Sequence, residues 1–440
     1  MTLFRTAPGA TRARAFPLLS ARATAQRTHS TPAIDAERWP DVARVPEGLL
    51  AALVAKIGAR IFRRAVARLR IRVLMPDGAV FGGDRRADAP TIVVHDADAL
   101  MRRIGHDRLI GFGESYLAGD WDSNDLASVI EQFARGVEGL VPAPLRALRS
   151  VVLPPQPSAE RPARENSRSN VERHYDLSND LFAGFLDETM TYSAALFAEG
   201  DDLATAQRRK MDRLLDQAGV TAGTAVLEIG SGWGGLALRA GRRGATVDSV
   251  TLSEQQQRWA NDLLHRSGVA DRAQVSLRDY RDVRGSYDAV LSVEMIEAVG
   301  LDFLETYFRQ IADVLRPGGR AAVQAIVMPH HRALRTHRNY TWIHKYVFPG
   351  GAIPSLQLIE ETAGRSGLRV VADLAMGDSY ARTLDQWAVR FHENRSRLGE
   401  FGFDETFRRM WEFYLRYSEG GFRAGYLDVH QLTFVRESAA

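Results

Sequence analysis

The chain has no cysteine and only three lysines, Lys56, Lys210 and Lys345, among its 440 residues. The first absence excludes a disulfide, a thiolate nucleophile and a cysteine-ligated metal. The second leaves arginine to carry the positive charge, a bias of the kind a GC-rich genome produces. No run approaches the ~20 consecutive apolar residues of a membrane-spanning helix. Residues 1–33 contain no acid at all and are rich in Arg, Ala, Thr and Ser. That composition suits a disordered tail, an over-extended reading frame or a mitochondrial transit peptide, with the first two preferred. What remains is ordinary: 45% apolar and 25% charged residues, in a chain long enough for two or three domains with real cores.

The charge is unevenly placed. Residues 1–72 hold thirteen Arg and one Lys against two Asp and two Glu, a surplus of ten. The whole chain is only +3, so the rest carries a deficit of seven. A basic N-terminal section on a mildly acidic body points to an anionic surface as partner. Nucleic acid is not expected, because the basic section lacks interleaved aromatic residues. Residues 47–72 show helical spacing of Leu50, Leu53, Val54, Ile57, Ile61 and Leu69, with Arg60, Arg63, Arg64, Arg68 and Arg70 between them. Such a helix either lies in an anionic membrane interface or packs on its own domain.

Four segments follow from these patterns: a disordered or targeting-like stretch at 1–46, an N-terminal membrane-docking domain at 47–153, a Pro/Ser-rich linker at 154–170, and a large domain at 171–440. In the last, helices at 203–219, 234–242, 254–266 and 302–315 alternate with strands at 224–229, 245–252, 273–277, 287–293 and 320–327. The alternation predicts an α/β fold with a doubly wound, mostly parallel sheet, beside a smaller α+β N-terminal domain. Ligands of such sheets bind beyond the carboxyl ends of the strands.

The richest stretch is Val226-Leu-Glu-Ile-Gly-Ser-Gly-Trp-Gly-Gly235. It reads as a buried strand, a tight glycine turn and a helix N-terminus, where backbone N–H groups approach an anionic or nucleotide-like ligand. Gly230, Gly232 and Gly235 fit the dinucleotide turn. Glu228, Gly230, Gly232 and Gly234 fit the S-adenosylmethionine turn. A glycine turn without a ligand is the third possibility. Four later features favour S-adenosylmethionine. Thr251, Ser253 and Gln256 end the second strand with polar groups where a ribose lies. Asp279 and Tyr280 follow the third, where an acid binds an adenine amine and a ring stacks on the base. Tyr287-Asp288 open the fourth strand, and Leu315-Arg-Pro-Gly-Gly319 is a turn before the fifth. Singly, Ser253 is also a plain helix N-cap and Pro317-Gly318 a plain turn.

With His174-Tyr-Asp-Leu-Ser-Asn-Asp-Leu-Phe182 and Met190-Thr-Tyr-Ser-Ala-Ala-Leu-Phe197 added, the chain resembles the cyclopropane-fatty-acyl-phospholipid synthases, and within them the actinobacterial branch linked to tuberculostearic acid. The likeness includes Gly111–Trp121, Val293-Glu-Met-Ile-Glu-Ala-Val-Gly300, Met328-Pro-His-His-Arg332, Phe348–Ser355 and Gly425-Tyr-Leu-Asp-Val-His430. It implies a class I S-adenosylmethionine-dependent methyltransferase that adds a one-carbon unit to the cis double bond of an unsaturated phospholipid acyl chain. The product is a 10-methylene or methyl-branched chain on the branch likeness, or a cyclopropane on the family likeness. Tyr192 and Ser193 join the cofactor contacts by position. The resemblance also implies a bicarbonate ion held by a Cys, a Glu, a His, an Ile backbone group and a Tyr. Glu297, Ile326 and Tyr380 match that set, but Ala194 stands for the Cys and Gln324 for the His, so the ion is in question.

An alkene is a weak nucleophile, and its methylation leaves a carbocation that water must not reach. Tyr175, Phe182, Phe185, Tyr192, Tyr340, Trp342, Tyr346 and Phe348 are the aromatic residues placed to enclose it. Glu297 is the expected holder of the base, or the base itself, with Tyr380 and Gln324 beside it. Otherwise Glu297 is a helix N-terminal acid and Tyr380 a packing residue. Helices at 359–366 and 384–397 and the 340–355 loop are expected to roof an acyl tunnel. His330 and His331 are expected on a surface loop, and no metal is expected. Expected partners are unsaturated phospholipid, an anionic bilayer at the inner face of a bacterial membrane, a separate reductase and a second copy as homodimer. The rival classes are a non-catalytic lipid- and cofactor-binding relative and a methyltransferase of another small molecule or of nucleic acid.

Overall fold

A computed structural model of the protein describes residues 33–140, 157, 178–337 and 339–437. The expected N-terminal segment up to residue 32, His174–Leu177 with Tyr175, and all of the 154–170 linker except residue 157 lie outside the described residues. Four helices and four short strands build the N-terminal module after a single turn, α1 (Pro40–Ala43): α2 (Gly48–Val66), β1 (Arg72–Leu74), β2 (Val80–Phe81), β3 (Thr91–Val94), α3 (Ala97–Asp107), α4 (Leu109–Leu117), β4 (Trp121–Ser123) and α5 (Leu126–Leu140). The strands lie in the order β2-β1-β3-β4, with β1 and β3 parallel and both edges antiparallel. The helix expected over 47–72 stops at Val66, because Leu69 and Ile71 turn into the core. Helices α2 and α3 cross closely at Gly58 and Gly105. A Cβ on Gly105 would lie 2.7 Å from the backbone of Val54.

The large domain continues with α6 (Asn179–Phe185), α7 (Leu203–Gln217), β5 (Ala225–Ile229), α8 (Gly235–Arg242), β6 (Thr246–Thr251), α9 (Glu254–Arg266), β7 (Ala273–Leu277), β8 (Tyr287–Val293), α10 (Ile296–Val299), α11 (Leu304–Val314) and β9 (Leu315–Val327). Then come α12 (His330–Thr336), α13 (Trp342–Tyr346), α14 (Leu356–Arg365), β10 (Leu368–Ala375), α15 (Gly377–Glu393), α16 (Glu405–Arg423) and β11 (Asp428–Arg436). The predicted alternation is present, and the strand order is β10-β11-β9-β8-β5-β6-β7. Pairings from β9 to β7 are parallel, and β11 runs antiparallel to both of its neighbours. The Arg316–Gly319 turn lies within the residues of β9 as a local irregularity in its pairing with β8. The sheet is doubly wound, so β5 and β8 are adjacent strands whose chains leave in opposite directions. The crevice outside their carboxyl ends is where such sheets take ligands.

The N-terminal module and the large domain share one core. Arg409 on α16 is buried and donates to the carbonyls of Tyr116 (2.6 Å) and Trp121 (3.0 Å) and to Asp122 (2.7 Å). Trp342 on α13 lies on Gly113, where any Cβ would fall 2.4 Å from its indole. Glu114, 2% exposed, accepts from Tyr346 Oη at 2.7 Å and pairs with Lys345. The conspicuous 111–121 stretch is therefore a docking surface for the large domain. A buried carboxylate there holds its place through charged and phenolic partners. It also removes Trp342 and Tyr346 from the expected aromatic enclosure. Of the helices expected to roof a tunnel, α14 packs on α11 and β10, whereas α15 packs on α6, α16 and β11.

Candidate active site

The turn after β5 has the geometry its glycines require. Gly230, Gly232 and Gly234 take φ of 91°, 49° and 88°, a region that side chains rarely adopt. The amides of Gly230 and Ser231 both donate to the Val250 carbonyl, tying the turn to β6. At Gly234 a Cβ would meet that of Ala260 at 2.9 Å, so helix α9 can close on the turn only if 234 is glycine. At Gly232 a Cβ would meet nothing within 4 Å, which leaves the crest of the turn open to a ligand.

The other expected cofactor residues lie around this turn, at the ends of neighbouring strands. Glu228 is buried and accepts from Ser249 Oγ; burial pushes its carboxyl up to about 8. Thr251 Oγ1 donates to Gln256 Oε1 (3.0 Å) and accepts from the Ser253 amide (3.2 Å). Ser253 caps α9 through the Gln256 amide at 3.2 Å. Asp279 accepts from the Arg281 amide and guanidinium at 2.9 and 2.8 Å, and Tyr280 sits edge-on to Tyr307 at 5.8 Å. Tyr192 Oη is 2.6 Å from Tyr414 Oη, and its ring stacks on Trp387 at 5.2 Å. Ser193 Oγ accepts from Lys210 Nζ at 2.6 Å.

The turn after β8 gathers acids where the first turn has glycines. Glu294, a half-buried residue with φ 48°, places its carboxylate on three donors. Oε1 accepts from the Ala194 amide (2.8 Å) and Gln324 Nε2 (2.7 Å), and Oε2 accepts from Tyr380 Oη (2.9 Å). Gln324 is oriented by Gln431, which donates to its Oε1 at 2.9 Å. Lys210 is 0% exposed, and burial lowers its ammonium to about 8 against the pull of Glu294 and Asp187. Burial also raises Glu294, while Lys210 and the three donors act the other way. One turn along, Glu297 Oε1 accepts from the Ile326 amide and Oε2 is buried without a partner. Burial, and then the charge of Glu294, pushes this second carboxyl up to about 8. Burial and the same carboxylate drive Tyr380 well above its ordinary range.

Glu297, Tyr380 and Gln324 thus come together, as expected from the sequence, but around a residue that was passed over. Lys210 was missed too, although its place was readable. It falls in register with Leu203, Ala206, Met211 and Leu214 on the buried stripe of α7. Glu294 carried no such signal beyond its place in the 293–300 motif. The five groups that the resemblance assigns to bicarbonate do not fit a free ion here. The Ala194 amide, Gln324 and Tyr380 already donate to Glu294, and the Ile326 amide to Glu297. Among the described residues no group of three His, Cys, Asp or Glu is arranged to hold a metal. His330 Nδ1 meets Ser355 Oγ at 2.8 Å.

Walls of aromatic rings close the site. Phe182 and Phe185 stand edge-on to Tyr192 at 5.1 and 6.0 Å, Trp233 lies against Phe182 at 4.7 Å, and Phe348 is edge-on to Tyr414 at 5.6 Å. Truncating one such buried ring costs about 3–5 kcal/mol.

The family model described as mycolic acid cyclopropane synthetase matches residues 163–432. Tuberculostearic acid methyltransferase UfaA1 of Mycobacterium tuberculosis is 51% identical over 422 residues, covering 93% of this chain and 98% of its own. Cyclopropane-fatty-acyl-phospholipid synthase of Escherichia coli is 31% identical, covering 84% and 93%. Among solved structures, mycolic acid cyclopropane synthase CmaA1 complexed with SAH and CTAB superposes with a TM-score of 0.57 at 29% identity, covering 61% of this chain and 98% of that one. The residues around the open glycine turn fit S-adenosylmethionine, the cofactor of this family. The chain belongs to the cyclopropane synthase family of S-adenosylmethionine-dependent methyltransferases.

Proposed function

We propose that the protein adds a one-carbon unit to the cis double bond of an oleoyl-type phospholipid acyl chain and leaves a 10-methylene branch, which a separate reductase converts to methyl. The observation that carries this reading is the 51% identity, along 93% of the chain, to a relative named for tuberculostearic acid methylation. A cyclopropane product is the second reading, favoured by the likeness to the E. coli enzyme. Glu228, Gly230, Gly232, Gly234, Thr251, Ser253, Gln256, Asp279, Tyr280, Tyr192 and Ser193 are the proposed cofactor residues. When bound, S-adenosylmethionine supplies an electrophilic sulfonium methyl. The chain's part is to keep water out and to steady positive charge on carbon. Phe182, Phe185, Tyr192, Trp387 and Tyr414 offer ring faces and edges for that, and the Glu294–Glu297 pair offers carboxyl groups beside them. The test is methyl-labelled S-adenosylmethionine with dioleoyl phospholipid, the chains then being identified by mass spectrometry after ozonolysis. A methylene branch yields a ketone and a cyclopropane does not. No labelled lipid overturns the reading.

The substrate lies in a bilayer, and α2 is our proposed docking element. Leu49, Leu50, Leu53 and Ile57 are 93%, 74%, 57% and 50% exposed. Lys56, Arg60, Arg63 and Arg64, all exposed, continue the helix. Among the described residues no helix is long and apolar enough to cross a membrane. An apolar stripe with cations beside it suits the interface of an anionic membrane, and so a peripheral position at the inner face. Leu50→Asp with Leu53→Asp is expected to lower binding to anionic vesicles at least about tenfold without loss of folding. Binding unchanged in about 0.5 M salt, or unchanged in the double substitution, overturns the assignment. Dimerisation abolished by the same double substitution assigns the stripe to a second copy instead.

A further inference from the structure

Glu294 is an acid in a place where the backbone favours glycine. Its φ of 48° is one of three positive values among the described non-glycine residues, so the side chain is retained against local strain. What it gains is specific. Three donors from three distant segments converge on its carboxylate, the Ala194 amide, the Gln324 amide and the Tyr380 hydroxyl. A carboxylate has about four lone-pair positions. Three are filled, and no donor among the described residues takes the fourth, on Oε2. A small trigonal oxyanion at this point would need the same three donors.

We propose that the Glu294 carboxylate is the enzyme's built-in base, standing where the family resemblance implies a bicarbonate ion and making that ion unnecessary. The inference rests on the function proposed above. Methylation of one alkene carbon leaves the cation on its neighbour, and a 1,2-hydride shift moves the cation to the methylated carbon. A C–H bond of the new methyl then breaks, and its electron pair becomes the π bond of the methylene. The proton passes to Oε2 of Glu294 and later to water; nothing is oxidised or reduced. Glu297 is the complementary acid. Its Oε2 is buried without a partner, and burial and the charge of Glu294 push its carboxyl up to about 8. Glu294, with three donors on its oxygens, is therefore the better placed of the two to carry negative charge. Lys210 supports that charge from within the core.

The test uses the full chain and two readouts. In the first, binding of isotopically labelled bicarbonate is followed by NMR. No binding is expected to the wild type. Saturable binding is expected to Glu294→Gly, which frees the three donors and relaxes the left-handed backbone. In the second, transfer to dioleoyl phospholipid is measured in carbonate-free buffer. Wild-type turnover is expected to be indifferent to added bicarbonate. Glu294→Gln is expected to lose about 10²–10⁴-fold in turnover, with S-adenosylmethionine affinity kept within about threefold. Glu294→Gly is expected to regain at least about tenfold on adding bicarbonate. Bicarbonate binding to the wild type, a wild-type rate that needs bicarbonate, or a Glu294→Gln rate within about threefold of wild type overturns the proposal. A wild type that labels no lipid sinks the proposed function instead, and the binding readout still decides this one.

Discussion

Two turns stand side by side at the carboxyl ends of β5 and β8, and they are built in opposite ways. The first, Gly230–Gly234, uses positive φ without side chains and leaves its crest open. The second puts a glutamate at positive φ and surrounds its carboxylate with the Ala194 backbone amide and the Gln324 and Tyr380 side chains. They touch: a Cβ on Gly230 would lie 3.3 Å from Met295. The comparison teaches that positive φ serves two ends: in glycine it keeps a crest clear, and in a glutamate it aims a side chain. The carboxylate is held by one backbone amide and two side chains drawn from three segments.

The strongest way to break the contrast is to give the first turn a side chain. Gly234→Val places bulk against Ala260 in a backbone of φ 88°, and is expected to cost about 2–5 kcal/mol. Calorimetry should then find no S-adenosylmethionine binding, and thermal unfolding should fall with it. Next comes the support beneath the second turn. Lys210→Met is expected to lower turnover near neutral pH about 100-fold. Its sign is set by Glu294: losing the cation raises the carboxyl, so the acid limb of the pH–rate profile moves to higher pH. A profile that falls uniformly at every pH would show Lys210 to be a packing residue only. Tyr380→Phe removes one donor from a charged carboxylate and is expected to cost about tenfold in kcat, with cofactor affinity unchanged.

A separate pH dependence concerns stability. Burial raises Glu228 from 4.5 to about 8 in the folded state. Between those values the folded form keeps a proton that the unfolded chain gives up. This contribution is therefore full at low pH and lost as pH rises towards 8. Without cofactor, Tm should fall between about pH 5 and about pH 8, and Glu228→Gln should flatten that fall. Glu297 leaves a residual slope of the same sign.

Much of the large domain was legible because its signals are local. Alternating apolar runs marked every strand from 225 to 327, and the glycine spacing marked the turn, since each depends on neighbours within a few residues. Boundaries drifted where tertiary contacts decide them. The helix expected at 384–397 begins at Gly377 and ends at Glu393, because α15 is needed to bring Tyr380 and Trp387 over the site. Trp342 and Tyr346 looked like site aromatics but serve the N-terminal module, through a glycine at 113 that only the folded chain brings beneath the indole.

The sequence by itself determined the five parallel strands, the glycine turn and the family, but not β10 or the antiparallel β11, because periodicity, glycine spacing and ordered motifs are properties of short segments. It also brought forward Glu297, Gln324 and Tyr380, although without saying what they surround. Only the tertiary structure decided that. Ala194, Lys210, Glu294, Gln324 and Tyr380 are far apart in the chain and meet because β8, β9, α7 and α15 converge on one crevice. The physical reason is that a buried carboxylate needs several donors at once. No single segment supplies them, so the residue they hold becomes visible only when the chain is folded.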